Sequence, residues 1–183
     1  MPTCVLSTST FIATSRGRET MSMSIPKLVE AISDKADCDL KPVGTLPDVG
    51  TNKLPSDLKE FYSIAGGAIL FRDSTYPIEI VSPSDFVRSN PIIIGKVCED
   101  DITYDWYVVA RDGEQYVTID LATPRNGRCY DSFWDSHGVP GSCPIVAQSF
   151  SKLLEKLLES EGNELFWLEP QFESLGDAYD LTP

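Results

Sequence analysis

The chain has 183 residues, 42% of them hydrophobic and 10% aromatic, which suits one soluble globular domain with tails and excludes a wholly disordered chain. Its formal charge of −13, from 28 Asp and Glu against 15 Lys and Arg, repels phosphate backbones and anionic lipid, so neither nucleic acid nor membrane is an expected partner. The same field attracts and orients a basic protein, although an acidic surface also serves solubility alone.

The first twenty residues are rich in Ser and Thr and carry no acid before Glu19. They lack the basic start and continuous apolar stretch of a secretory signal, and Met21 and Met23 stand just before the first helical pattern. Residues 1–23 are therefore read as a disordered or mis-started extension, in preference to a transit peptide. No segment approaches the length of a membrane-spanning helix.

A first helix is expected from Ser24, with Pro26 in its first turn and Ile25, Leu28, Val29 and Ile32 at helical spacing. Cys38 to Lys53, broken by Pro42, Gly44, Pro47 and Gly50, reads as a connector. In LPSDLKEFYSIAGGAILF, residues 54–71, the stripe Leu54, Leu58, Phe61, Tyr62 and Ala65 predicts a second helix. Pro55 would be its first residue and Gly66 its left-handed stop. Ala68 to Phe71 then predicts a buried strand.

Tyr76 to Val81 predicts a second strand, Ser82 to Phe86 a brief helix, and the run Ile92-Ile93-Ile94 a third strand. Trp106 to Ala110 and Gln115 to Leu121 flank the hairpin signal Asp112-Gly113, and Asn126-Gly127 turns the chain into Cys129-Tyr130. An irregular stretch follows, and Pro144 to Ala147 leads into a last helix. In that helix Phe150, Leu153, Leu154, Leu157 and Leu158 keep one apolar face, and Gly162 ends it. The expected fold is α+β, with helices packed around an antiparallel or mixed sheet.

The chemical inventory is thin. Five cysteines without a CxxC pair argue against a disulfide framework or a zinc site and suit a reducing compartment. The single histidine, His137, lies in a loop beside Gly138 and Pro140 without a visible catalytic partner, and any Ser or Cys nucleophile with a histidine base would have to use it. Asp131, Asp135 and His137 match no metal-ligand spacing. No phosphate-binding loop is present, and Gly66-Gly67 lacks the further glycine of a dinucleotide fingerprint. No catalytic residue, cofactor or metal is therefore assigned. Beyond Lys156 the chain carries seven acids and no Lys or Arg, interleaved with Phe166, Trp167, Phe172 and Tyr179. Residues 163–183 form an acidic aromatic tail whose rings either pack back onto the domain or recognise a partner.

Three landmarks in order resemble the SUKH superfamily, which includes Smi/Knr-type fungal cell-wall regulators and bacterial toxin-immunity proteins. LPSDLKEFY with Gly66-Gly67 is similar to the family's Leu-Pro-x-x-Leu helix and its Gly-Gly exit. Trp106, the Asp112-Gly113 turn and Tyr116 to Leu121 resemble its central hairpin, and IVAQSFSKLLEKLL resembles its closing strand and helix. Ala65 departs from the Asn common before the glycine pair. The likeness covers residues 24–162 and implies a non-enzymatic cytoplasmic protein-binding module. Its expected role is immunity, by binding a cognate toxin such as a basic nuclease; the alternative is a Smi/Knr-type regulator or scaffold. The expected partner contacts are Glu99, Asp100, Asp101 and Asp105 in one loop and Asp131, Trp134, Asp135 and His137 in the other, with Trp134 as the apolar anchor.

Overall fold

A computed structural model describes residues 23–180. The extension read over residues 1–23 lies outside the described residues apart from Met23, as do Cys4 and residues 181–183. Three helices, α1 (Ile25–Ser33), α2 (Ser56–Ile64) and α4 (Phe150–Ser160), and a five-residue α3 (Ser89–Ile93) surround a sheet. Its strands are β1 (Asp39–Leu40), β2 (Ala68–Leu70), β3 (Ile78–Ile80), β4 (Trp106–Asp112), β5 (Gln115–Asp120), β6 (Cys129–Ser132) and β7 (Ile145–Ala147). They lie side by side in chain order, every neighbouring pair antiparallel. The fold is thus an α+β meander, and the mixed-sheet option falls away.

The helical stripes do what their spacing requires. Ile25, Leu28, Val29 and Ile32 of α1, Leu58, Phe61 and Tyr62 of α2, and Phe150, Leu153, Leu154, Leu157 and Leu158 of α4 are all buried. Phe61 meets Phe150 edge to face with centroids 5.1 Å apart, and the Tyr62 hydroxyl donates to the Val81 carbonyl at 3.0 Å. Ser149 caps α4 by accepting from the Lys152 N–H at 3.2 Å, which satisfies one orphan donor of the first turn.

Several local expectations are corrected. Pro55 stands at the cap of α2 rather than inside it. Gly66 is not a left-handed stop: Ala65 leaves the helix extended, and Gly67 is the residue with positive φ, +119°. Gly66 is small for another reason. A Cβ there would lie 1.8 Å from the Pro42 carbonyl oxygen, because Lys41-Pro42 crosses the junction and Lys41 exchanges backbone bonds with Gly66 and Gly67 at 2.9 Å. Ser82 to Phe86 forms a single turn, closed by the Asp85 and Phe86 N–H groups on the Ser82 carbonyl. The Ile92-Ile93-Ile94 run ends helix α3 and is no strand. In the central hairpin Asp112 pairs with Gln115, so Gly113-Glu114 make the turn, one residue later than the Asp112-Gly113 signal.

Because side chains alternate across a sheet, Tyr107, Ile119 and Cys129 face the helices while Trp106 and Tyr130 face away. The second face is closed by a smaller cluster in which Trp106 stacks on Tyr130 at 4.2 Å beside Cys143, Ile145 and Ala178. The acidic tail spans both clusters. Phe166 and Trp167 join the helix-side core, and Phe172 packs against it. Further on, the Ile145 N–H donates to the Gly176 carbonyl and the Ala178 N–H to the Cys143 carbonyl, both at 2.9 Å. That pairing covers part of the outer edge of β7, where open backbone groups invite other chains. No helix among the described residues is long and apolar enough to cross a membrane.

Candidate functional site

Two irregular segments carry the expected contacts other than Asp131, which lies on β6: residues 94–105, between α3 and β4, and residues 133–144, between β6 and β7. The first is shaped by Asp101, which caps a 3-10 turn at Ile102–Asp105 by accepting from the Thr103 N–H at 2.9 Å and the Thr103 hydroxyl at 2.7 Å. Tyr179 of the tail ties this turn to the second segment. Its hydroxyl lies 2.9 Å from Asp101 Oδ1 and 3.0 Å from the Gly138 carbonyl oxygen, so one proton serves either acceptor. Burial pushes the Asp101 carboxyl up, but the Thr103 and Tyr179 hydrogen bonds outweigh it and hold the group below the usual carboxylate range.

His137 is an interior residue, 5% exposed, with its ring edge-on to Trp106. Its Nε2 lies 2.8 Å from Asn90 Oδ1 on α3 and 3.4 Å from the Ser89 hydroxyl. With the Nε2–H donating to Asn90, Nδ1 is an acceptor. Neither that nitrogen nor Asn90 Nδ2 meets a protein hydrogen-bond partner among the described residues. Burial lowers the His137 pKa to about 4, against the upward pull of Asp101, so the ring is neutral at physiological pH.

The remaining acids divide sharply. Asp105 accepts from Asn52 Nδ2 at 2.8 Å and meets Arg88 Nη1 at 3.3 Å, while the Arg88 guanidinium lies 3.8 Å from the centre of the Tyr104 ring. Asp131 is half-buried on β6 and accepts from Gln115; burial raises its pKa, with the Gln115 amide pulling the other way. Glu99, Asp100 and Asp135 are exposed, and none meets a Lys or Arg among the described residues. Trp134 is 59% exposed.

The structure therefore places Glu99, Asp100, Trp134 and Asp135 outward and fixes Asp101, Asp105, Asp131 and His137 by contacts within the chain. Asp131, Asp135 and His137 do not converge, and no group of three His, Cys, Asp or Glu side chains among the described residues is set to hold a metal ion. Sequence reasoning missed α3, whose Ile92 is 52% exposed, and Val97 just beyond it, 56% exposed. The signal was Ser89-Asn90-Pro91, a polar pair with Pro in a first turn, which also starts helices.

The SMI1/KNR4 family (SUKH-1) profile matches residues 51–156, from just before α2 into α4. The chain is also 46% identical over 160 residues to "Immunity protein YokJ" of Bacillus subtilis (strain 168), covering 86% of this chain and 97% of that protein. A match over more than half of the chain, together with a relative aligned over almost its whole length, settles the grouping: the chain belongs to the SMI1/KNR4 family (SUKH-1).

Proposed function

We propose that this chain is an immunity protein that binds a cognate toxin in the cytoplasm and neutralises it by occupying its surface, without turnover. The observation that carries this reading is the likeness to Immunity protein YokJ over nearly the whole of that protein. The outward acids support it in kind, since a toxin that acts on nucleic acid needs cationic surface and an acidic protein is steered onto it. Glu99, Asp100, Trp134 and Asp135 make the contact; Asp101, Asp105, Asp131 and His137 hold the segments that present them. The SUKH unit is taken as residues 24–162, with 163–183 as an acidic tail whose described residues, 163–180, pack on it.

The test is co-expression with the toxin encoded beside the gene, followed by purification of the pair at low and high salt. Growth should be rescued, and a one-to-one complex should weaken as ionic strength rises. A toxin that kills equally with and without this chain would sink the proposal.

A further inference from the structure

We propose that α3 and the residues after it join the Trp134 loop in one preorganised docking surface for a cationic protein partner bearing an apolar recess, and that the His137–Asn90 hydrogen bond pins its two halves together. This rests on the immunity reading and adds to it the element that makes the contact and the shape of what it meets.

Ile92 and Val97 on one segment and Trp134 and Val139 on the other are 52%, 56%, 59% and 44% exposed. Single exposed apolar side chains are ordinary; four on two segments tied together by direct contacts are a different observation. The ties are the 2.8 Å bond from His137 to Asn90 and the Tyr179 hydroxyl between Asp101 and Gly138. Ser89 and Asn90 of α3 are buried while Pro91 and Ile92 are exposed, so the short helix turns its polar groups inward and its apolar ones to solvent. That is the reverse of a helix placed for core packing.

The pin explains this inversion. An apolar contact between α3 and the 133–144 segment would need no polar group, yet the chain buries Asn90 and His137 there and joins them by a hydrogen bond. A hydrogen bond is directional where an alkyl contact is not, so it fixes where Ile92 stands relative to Trp134. Fixing that placement before association lowers the ordering cost of binding, and a rigid exposed Trp is the usual anchor of such a surface. The partner's charge follows from Glu99, Asp100 and Asp135, acids without a cation of their own among the described residues. Lys96 is the only basic residue in either segment that is exposed.

The experiment is calorimetric titration of the full chain with the toxin encoded beside its gene, at low and high salt. Trp134→Ala should weaken binding at least thirtyfold and Ile92→Asp at least tenfold, with unchanged melting temperatures. The pair Glu99→Lys and Asp100→Lys should flatten the salt dependence. Asn90→Leu with His137→Leu should keep the fold, losing affinity through a slower association step. If the unaltered chain binds tightly while Trp134→Ala and Ile92→Asp bind as well as it does, the docking surface is wrong and the immunity reading survives. If the unaltered chain does not bind, both fail. Concentration-dependent dimerisation abolished by Ile92→Asp would assign the surface to a second copy of the chain and overturn the cationic partner.

Discussion

The two faces of the sheet are closed by different physics. The helix side is sealed by alkyl and aromatic groups from α1, α2 and α4, and its stability scales with area removed from water. The other side buries charge and hydrogen-bonding groups: Asp120 is fully buried and accepts from Trp106 Nε1 at 3.0 Å, Arg125 Nε at 2.7 Å and the Ala122 N–H at 2.7 Å. His137, Asn90 and Ser89 lie along the same side. The first face holds the domain together, and the second holds loops at defined positions, which is where the proposed partner surface sits.

The sharpest way to break that contrast is to cut each face and compare. Phe150→Ala removes a fully buried ring that touches Phe61, and the expected loss is about 3–5 kcal/mol, read from denaturant unfolding. A loss below 1 kcal/mol would mean the helix side is looser than its contacts indicate.

On the second face the largest effect is one of pH. The folded His137 pKa of about 4 lies below its ordinary 6.5, so between these values the unfolded chain binds a proton that the folded chain does not. Its contribution is therefore complete above about pH 6.5 and is lost as pH falls toward 4, roughly 3 kcal/mol over the window. Glu79 and Asp101, whose pKa values are lowered, lose their contributions at lower pH still. Because the chain has a single histidine, its imidazole NMR signals are unambiguous. A midpoint near 4 is expected; a midpoint near 6.5 would place the ring in water and remove the pin.

What the sequence disclosed follows the same division. The stripe Phe150, Leu153, Leu154, Leu157, Leu158 was readable because burial against one layer imposes a 3.6-residue period that needs no knowledge of the partner element. The central hairpin was readable from alternation, with its turn displaced by one residue. The triple isoleucine run misled because β-branched residues favour strands in general. Here Asn90, just before it, is claimed by His137, 47 residues away, and no local pattern encodes that. The acids show the limit most plainly. Asp100 and Asp101 are neighbours of like chemistry, yet one is exposed and the other is held by Thr103 and by Tyr179, 78 residues on.

The smallest expected effect tests that last tie. Tyr179→Phe keeps the ring, which packs against the Trp106 cluster, and deletes only the hydroxyl shared between Asp101 and Gly138. Asp101 keeps its Thr103 bonds, so the cost is that of one partly exposed hydrogen bond to a carboxylate, about 1 kcal/mol. In a domain of this size that is a fall of roughly 2–4 °C in melting temperature. The hydroxyl joins the 3-10 turn to the Gly138 region, so hydrogen exchange should quicken at Thr103 and His137 while the α4 amides stay protected. Exchange that quickens equally in α4 would show the two faces unfolding as one unit, and the division between a sealing face and a positioning face would have to be abandoned.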